Sequence, residues 1–168
     1  MKSKDTFSNK FYGACTESGA NTLSFSEIQT NVDVFSKAAW VLHRLEWYLP
    51  AATRALLVDN YDAITMALCS SDKASALELD DPSVIDLYTL EKSLATSVGY
   101  MYFQYPFIRD FGSLPGGGLI ITPRPLYVGL KGTGLASAST GEVRGYFTKL
   151  ELSADEYLEL VDFYRIVS

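Results

Sequence analysis

The stretch LPGGGLIITPRPLYVGLKGTG, from Leu114 to Gly134, decides the fold. Three consecutive glycines precede two apolar runs, and Pro123 and Pro125 lie between those runs. Proline cannot donate a hydrogen bond to a neighbouring strand, so it ends a strand or stays at a sheet edge. The stretch therefore predicts two short strands joined by a corner, from which Arg124 points outward.

The glycines of this stretch do not complete a nucleotide-binding motif. A P-loop requires a lysine, then serine or threonine, and then a helix, whereas Leu119, Ile120 and Ile121 follow the triple glycine. The segment Gly132–Ser137 carries only the first two glycines of a dinucleotide fingerprint, and the polar residues after it are too few for the helix that would face a pyrophosphate. The sequence therefore predicts no cofactor, and the glycines instead permit tight backbone turns.

Further segments of strand character lie along the rest of the chain. Apolar alternation, or an apolar or aromatic run next to turn residues, is typical of strands. The predicted strands include Thr22–Ile28, Ala38–Leu49, Asp62–Ser70, Val98–Tyr105 and Val143–Leu152. Ser83–Ala95 fits either a helix or a strand, because its apolar spacing is nearly helical while Val, Ile and Tyr favour strands. Phe107–Pro115 is predicted to be a loop.

The number and spacing of these segments predict an all-β fold. About eight short strands separated by turn residues are typical of a sandwich or barrel rather than of βαβ units. We expect a single domain over residues 1–168, an antiparallel eight-stranded, jelly-roll-like β-sandwich, with residues 1–10 as a loosely ordered N-terminal arm. Strict alternation along the strand Ala38–Leu49 places His43 on the same face as Leu45 and Trp47.

The C-terminus departs from this pattern with a short helix, predicted over residues 153–165. Ser153 and Glu156 form the S-x-x-E capping box, in which each side chain accepts a hydrogen bond from a backbone N–H that has no other partner. The apolar stripe of this helix, at helical spacing, consists of Tyr157, Leu160, Val161 and Tyr164.

Charge and composition exclude several classes of function. The net charge is −6, whereas proteins that grip nucleic acid do so mainly through Lys and Arg. We expect no direct sequence-specific nucleic-acid binding. Neither a secretory signal nor an apolar run long enough for a membrane span is predicted. Cys15 and Cys69 are too few for a disulfide framework.

No set of catalytic residues is recognisable. His43 is the sole histidine, and no G-x-S-x-G elbow accompanies it. Cys15, His43 and Cys69 lack the spacing of zinc ligands, so no metal is predicted. The alternative hypothesis is a small β-sandwich hydrolase or ligand-binding domain that uses His43 with nearby carboxylates, in a concave pocket.

The features that remain favour contacts between chains. Tyrosine-rich strands, an outward arginine and a capped terminal helix are typical of interfaces. The candidate contact residues are Arg124, Tyr127, Tyr100, Tyr102, Tyr157 and Tyr164.

The last third of the chain, LPGGGLIITPRPLYVGLKGTG…VRGYFTKLELSADEYLELV, together with the strand count, resembles small single-jelly-roll capsid proteins of tailless icosahedral viruses. The resemblance implies two four-stranded sheets in a wedge, a non-enzymatic subunit of a shell, and partners that are further copies or other capsid proteins. It implies location in the virion, after synthesis in the host cytoplasm. Because no Arg-rich arm is present, another protein would neutralise the genome, or an internal membrane would separate it from the shell. A host-directed interaction module is a further hypothesis.

Overall fold

The computed structural model describes residues 8–28, 38–92, 106–121, 125–156, 158–159 and 162. A single helical turn, α1 (Ala51–Arg54), follows Pro50. The strands are β1 (Asn9–Thr16), β2 (Ser24–Ile28), β3 (Ala38–Tyr48), β4 (Ala63–Cys69), β5 (Val84–Glu91), β6 (Phe107–Asp110), β7 (Leu119–Ile121), β8 (Leu126–Thr133) and β9 (Thr140–Glu151).

The strands form two antiparallel sheets that pack face to face. The five-stranded sheet has the order β1-β9-β3-β6, with β7 also paired to β3, and the four-stranded sheet has the order β2-β8-β4-β5. If β6 and β7 are counted as one interrupted strand, the strands of the described residues pair in a nested order. β1 pairs with β9, β2 with β8, β3 with β6 and β7, and β4 with β5. This nested pairing folded into a double sheet is the jelly-roll order. The predicted all-β sandwich is thus confirmed.

Two segments differ from their sequence-based description. Ser83–Ala95, which fitted either a helix or a strand, contains the strand β5. Phe107–Pro115, predicted to be a loop, begins with the strand β6, so that prediction was wrong at residues 107–110. All four side chains of β6 are exposed, and its sequence FIRD shows no apolar alternation. Its strand conformation comes from pairing with β3. The predicted strand Val98–Tyr105 lies outside the described residues.

The face assignment of Ala38–Leu49 also needs correction. The pairing of β3 with β9 skips one residue between Leu42 and Arg44, so His43 is the extra residue of a β-bulge. A bulge shifts the alternation by one position. Leu42 on one side of it, and Leu45 and Trp47 on the other, all point into the core, whereas strict alternation had placed His43 with Leu45 and Trp47.

The main core lies between the sheets and is rich in aromatic rings near β9. The rings of Trp40 and Phe147 stack with their centroids 3.9 Å apart, and Phe11 lies 6.2 Å from Trp40. Gly145 faces this group, and a Cβ at this position would overlap the Phe11 ring. The glycine is therefore required by the close approach of Phe11 to β9.

The predicted capping box is confirmed at the C-terminus. The backbone N–H of Ser153 donates to Glu156 Oε2 at 2.9 Å, and the backbone N–H of Glu156 donates to Ser153 Oγ at 3.3 Å. Residues 154–156, 158–159 and 162 are helical. The four residues of the predicted apolar stripe lie outside the described residues. At the other end, β1 begins at Asn9, within the segment predicted as an arm.

Candidate functional site

The structure describes one of the six candidate contact residues, Tyr127. The other five, which lie outside the described residues, are Arg124, Tyr100, Tyr102, Tyr157 and Tyr164. Tyr127 lies in β8, between the inward-facing Leu126 and Val128, so its ring is on the outer face of the four-stranded sheet. It is half-buried there.

Tyr127 belongs to an apolar group on this outer face, which we call the Tyr127 patch. Its half-buried members surround the fully buried Ala67 and Cys69 in the middle of the sheet. The members are Leu23, Phe25, Val84, Leu87 and Tyr127. Only Tyr127 was singled out from the sequence, because the patch is assembled by cross-strand neighbours such as Phe25–Gly129 and Cys69–Tyr127 that are distant in the chain.

Part of the Tyr127 patch is covered by the connection between β4 and β5. Leu77 from this connection packs over Gly129, where an added Cβ would lie 2.8 Å from Leu77 Cδ2 and 3.0 Å from Phe25 Cε1. The next apolar residue of the connection, Leu79, is 77% exposed. The outer face of the four-stranded sheet therefore carries the Tyr127 patch over part of its area, and the patch is only partly covered by its own chain. The neighbouring row Lys131, Thr65 and Thr89 makes the rest of this face polar.

The rim of the Tyr127 patch is acidic. Burial raises the pKa of the Tyr127 hydroxyl, and the negative charges of Asp72 and Glu27 raise it further. A surface that covers this patch should therefore be apolar at its centre and should present basic or hydrogen-bond-donor groups at its edge.

His43 connects the glycine-rich turn to the sheet. Its Nδ1 is 2.9 Å from the carbonyl oxygen of Gly117, and its Nε2 is 2.9 Å from Thr148 Oγ1. Gly116 and Gly117 have positive φ values of 89° and 77°, which glycine adopts without steric cost. His43 thus links the turn before β7, through Gly117, to β9, through Thr148. Neither partner is the carboxylate or thiol that the hydrolase hypothesis requires.

The cysteines are buried in different places. Cys15 is on the core side of β1, and Cys69 lies beneath the Tyr127 patch. Burial raises the pKa of both thiols, to about 12 for Cys69. A thiol is a nucleophile only as the thiolate, so both side chains behave as small apolar residues.

The buried carboxylate of Asp86 links the two sheets along one side of the sandwich. Asp86 of β5 accepts a hydrogen bond from Trp47 Nε1 at 3.3 Å and lies 3.2 Å from Arg109 Nε of β6. Beside it, the rings of Tyr88 and Phe107 stack at 4.7 Å between the same two strands. These contacts link the edge strands of the two sheets.

The pH dependence of stability tests the role of Asp86. Burial raises the pKa of this carboxyl above its ordinary value of 3.8, against the opposing effects of Arg109 and Trp47. The carboxylate is then less favourable in the folded than in the unfolded chain, so its contribution to stability is largest below pH 3.8 and falls as pH rises. We expect the unfolding free energy of the wild type, minus that of Asp86→Asn, to fall between about pH 4 and neutral.

Urea unfolding at several pH values measures this difference. Asp81→Asn is a control of opposite sign, because hydrogen bonds from Ser83 lower the pKa of Asp81. The unfolding free energy of the wild type, minus that of Asp81→Asn, should rise with pH below about pH 5 and stay level from there to neutral. A difference for Asp86→Asn that also rises with pH would contradict the assignment.

Among the described residues, no group of three or more His, Cys, Asp or Glu side chains is placed to hold a metal ion. None of the helical segments in that same part of the chain has the length and apolar character needed to cross a membrane.

No protein-family model matches the chain, and no curated protein matches its sequence.

Proposed function

We propose that this chain is a subunit of an icosahedral virus shell, which assembles with further copies or with other shell proteins and catalyses no reaction. The observation that carries the proposal is a jelly-roll strand order whose four-stranded sheet bears an apolar patch on its outer face. Double-sheet jelly rolls occur in viral capsid proteins, and also in lectins and cupins. Because the fold serves several functions, the surface of the chain and not its fold distinguishes a shell subunit from these other proteins.

The Tyr127 patch is the contact surface in this proposal, and its occupant is a second copy of the chain. The exposed face of an antiparallel sheet is ordinarily polar, whereas this one presents Phe25, Leu87 and Tyr127 half-buried. Aromatic residues are enriched in the centres of protein interfaces. The exposed Leu79 lies on the connection that partly covers the patch, so it extends the apolar area that a neighbour would bury.

The charge of the chain suits this role if the genome is neutralised elsewhere. At a net charge of −6, the chain would repel a nucleic-acid backbone at close range. The proposal therefore includes a second component, either a basic protein or an internal membrane, between the shell and the genome.

Sedimentation velocity of the purified full chain tests the proposal. We expect species far heavier than the 18.5 kDa chain, with a fraction that grows with protein concentration. Because the contact is mainly apolar, assembly should persist or increase at high salt. A single species of the mass of one chain at every concentration, pH and salt level tested, also in the presence of the other virion proteins, would refute it.

A further inference from the structure

A cleft of about 310 Å³ lies on the outer face of the five-stranded sheet, opposite in the sandwich to the Tyr127 patch. We call it the polar cleft. It is lined by Tyr12, Glu46, Tyr48, Pro106, Glu142 and Arg144, with Val143 beneath them. In the register of the sheet, Tyr12 is opposite Arg144 and Tyr48 is opposite Glu142. The two tyrosines are on strands that flank β9, about 10 Å apart across the sheet.

The charged side chains of the polar cleft are already held in place by one another. Glu46 Oε1 lies 2.7 Å from Arg44 Nη2, and Glu46 Oε2 lies 3.7 Å from Arg144 Nη1. The hydroxyl of Tyr146 donates to Glu46 Oε2 at 3.4 Å, and the Arg44 guanidinium lies 5.8 Å from the centre of the Tyr146 ring. A ligand that binds here therefore orders few side chains, which lowers the entropic cost of binding.

Of the two tyrosines in the polar cleft, Tyr12 interacts directly with a charged residue of the cleft. Burial raises the pKa of the Tyr12 hydroxyl, and Glu142 raises it further through its charge and by accepting a hydrogen bond from it. Tyr12 is nevertheless 56% exposed and Tyr48 39% exposed. The Tyr12 hydroxyl is thus engaged at its tip while a large part of the side chain stays open to solvent.

The balance of charges limits the kind of ligand. Glu46, Glu142 and Arg144 line the polar cleft, and Arg44 pairs with Glu46 from beside it. The two negative and two positive charges balance locally, so the site has little net charge to attract a small ion. It combines fixed donors on Arg144, fixed acceptors on two carboxylates, and aromatic rings. A few convergent polar groups set among apolar surfaces are typical of small-molecule sites.

We infer that the polar cleft binds a neutral carbohydrate through one pyranose ring. A pyranose has apolar C–H faces that pack on an aromatic ring, and hydroxyls that both donate and accept hydrogen bonds. In the polar cleft, Tyr12 or Tyr48 would supply the ring contact, Arg144 would donate to sugar hydroxyls, and Glu142 would accept from them. This inference is independent of the proposed shell function, since it concerns the other sheet and a single chain.

Saturation-transfer NMR of the full chain, followed by titration, tests the inference. The probes are the methyl glycosides of glucose, galactose, mannose and N-acetylglucosamine, each tested separately. At least one should bind with millimolar affinity, and Tyr12→Ala and Arg144→Gln should each weaken that binding at least about tenfold. The control Tyr61→Asn removes another exposed tyrosine, which does not line the cleft, and should leave the affinity unchanged.

Three results would overturn the inference. One is the absence of a saturation-transfer signal from all four glycosides. Another is a glycoside that binds the Tyr12→Ala and Arg144→Gln variants as tightly as the wild type. The third is Tyr12-dependent binding of trilysine in place of any glycoside, which would identify the cleft as a site for a basic protein segment. The exposure of Tyr12 and Arg144 means that the fold should tolerate both substitutions.

Discussion

Replacement of Glu17 by alanine should lower the free energy of unfolding by about 3–5 kcal/mol. Glu17 is 4% exposed and follows the last residue of β1. Its Oε1 accepts from the backbone N–H of Gly132 at 2.7 Å, and its Oε2 accepts from the backbone N–H and the hydroxyl of Ser139 at 2.8 and 2.7 Å. Alanine would leave three buried donors without a partner, at the point where β1, β8 and β9 meet.

Urea unfolding of the wild type and of Glu17→Ala measures this loss of unfolding free energy. Glu91→Ala is the matched control, because Glu91 is an exposed carboxylate on β5; its effect should stay within about 0.5 kcal/mol. The loss of unfolding free energy for Glu17→Gln should lie between those of Glu17→Ala and Glu91→Ala. The amide oxygen of glutamine still accepts a hydrogen bond, whereas its amide nitrogen faces another donor. If Glu17→Ala is no more destabilising than Glu91→Ala, this end of the sandwich is not organised around the carboxylate.

The substitution Tyr127→Asp should abolish assembly of the chain at concentrations where the wild type assembles. A charge placed in the Tyr127 patch would have to be buried at every contact, next to Asp72 and Glu27, which are already negative. A tyrosine that is a hot spot of an interface typically contributes 2 kcal/mol or more, so the threshold concentration should rise by more than about thirtyfold. Sedimentation velocity of the variant and the wild type, side by side, measures the threshold.

Two further variants make this test specific. Tyr61→Asp places the same charge on a tyrosine that is 70% exposed outside the patch, and its threshold should equal that of the wild type. Leu79→Asp should raise the threshold without affecting folding, because Leu79 is 77% exposed. Thermal unfolding checks that Tyr127→Asp is folded. Normal assembly of a folded Tyr127→Asp variant, together with normal assembly of Leu79→Asp, would exclude the patch as the contact.

Local signals in the sequence were sufficient for several elements. The apolar run Asp62–Ser70 contains β4, and the capping box at Ser153 begins the terminal helix, because both depend on residues close together in the chain. The strand β6 and the bulge at His43 left no such signal. The strand β6 is paired with β3, which is distant in the chain, and the bulge is visible only in the register of β3 against β9, where His43 has no counterpart.

The same distinction applies to the surfaces. Tyr127 could be chosen as a contact residue from its type and its strand, but the patch around it depends on the alignment of four strands. Glu17 resembles any exposed acid in the sequence, since its donors lie 115 and 122 residues further along the chain. Likewise, Tyr12 and Arg144 are neighbours in the polar cleft because β1 pairs with β9, although the two residues are distant in the chain.

Electron cryomicroscopy of the assembled protein tests the central claim most directly. The claim is that another copy of the chain covers the outer face of the four-stranded sheet. We expect closed particles with icosahedral symmetry, in which Phe25, Leu87 and Tyr127 are buried against a neighbouring subunit. Particles in which these side chains face solvent, or fields that contain only separate single chains, would contradict it.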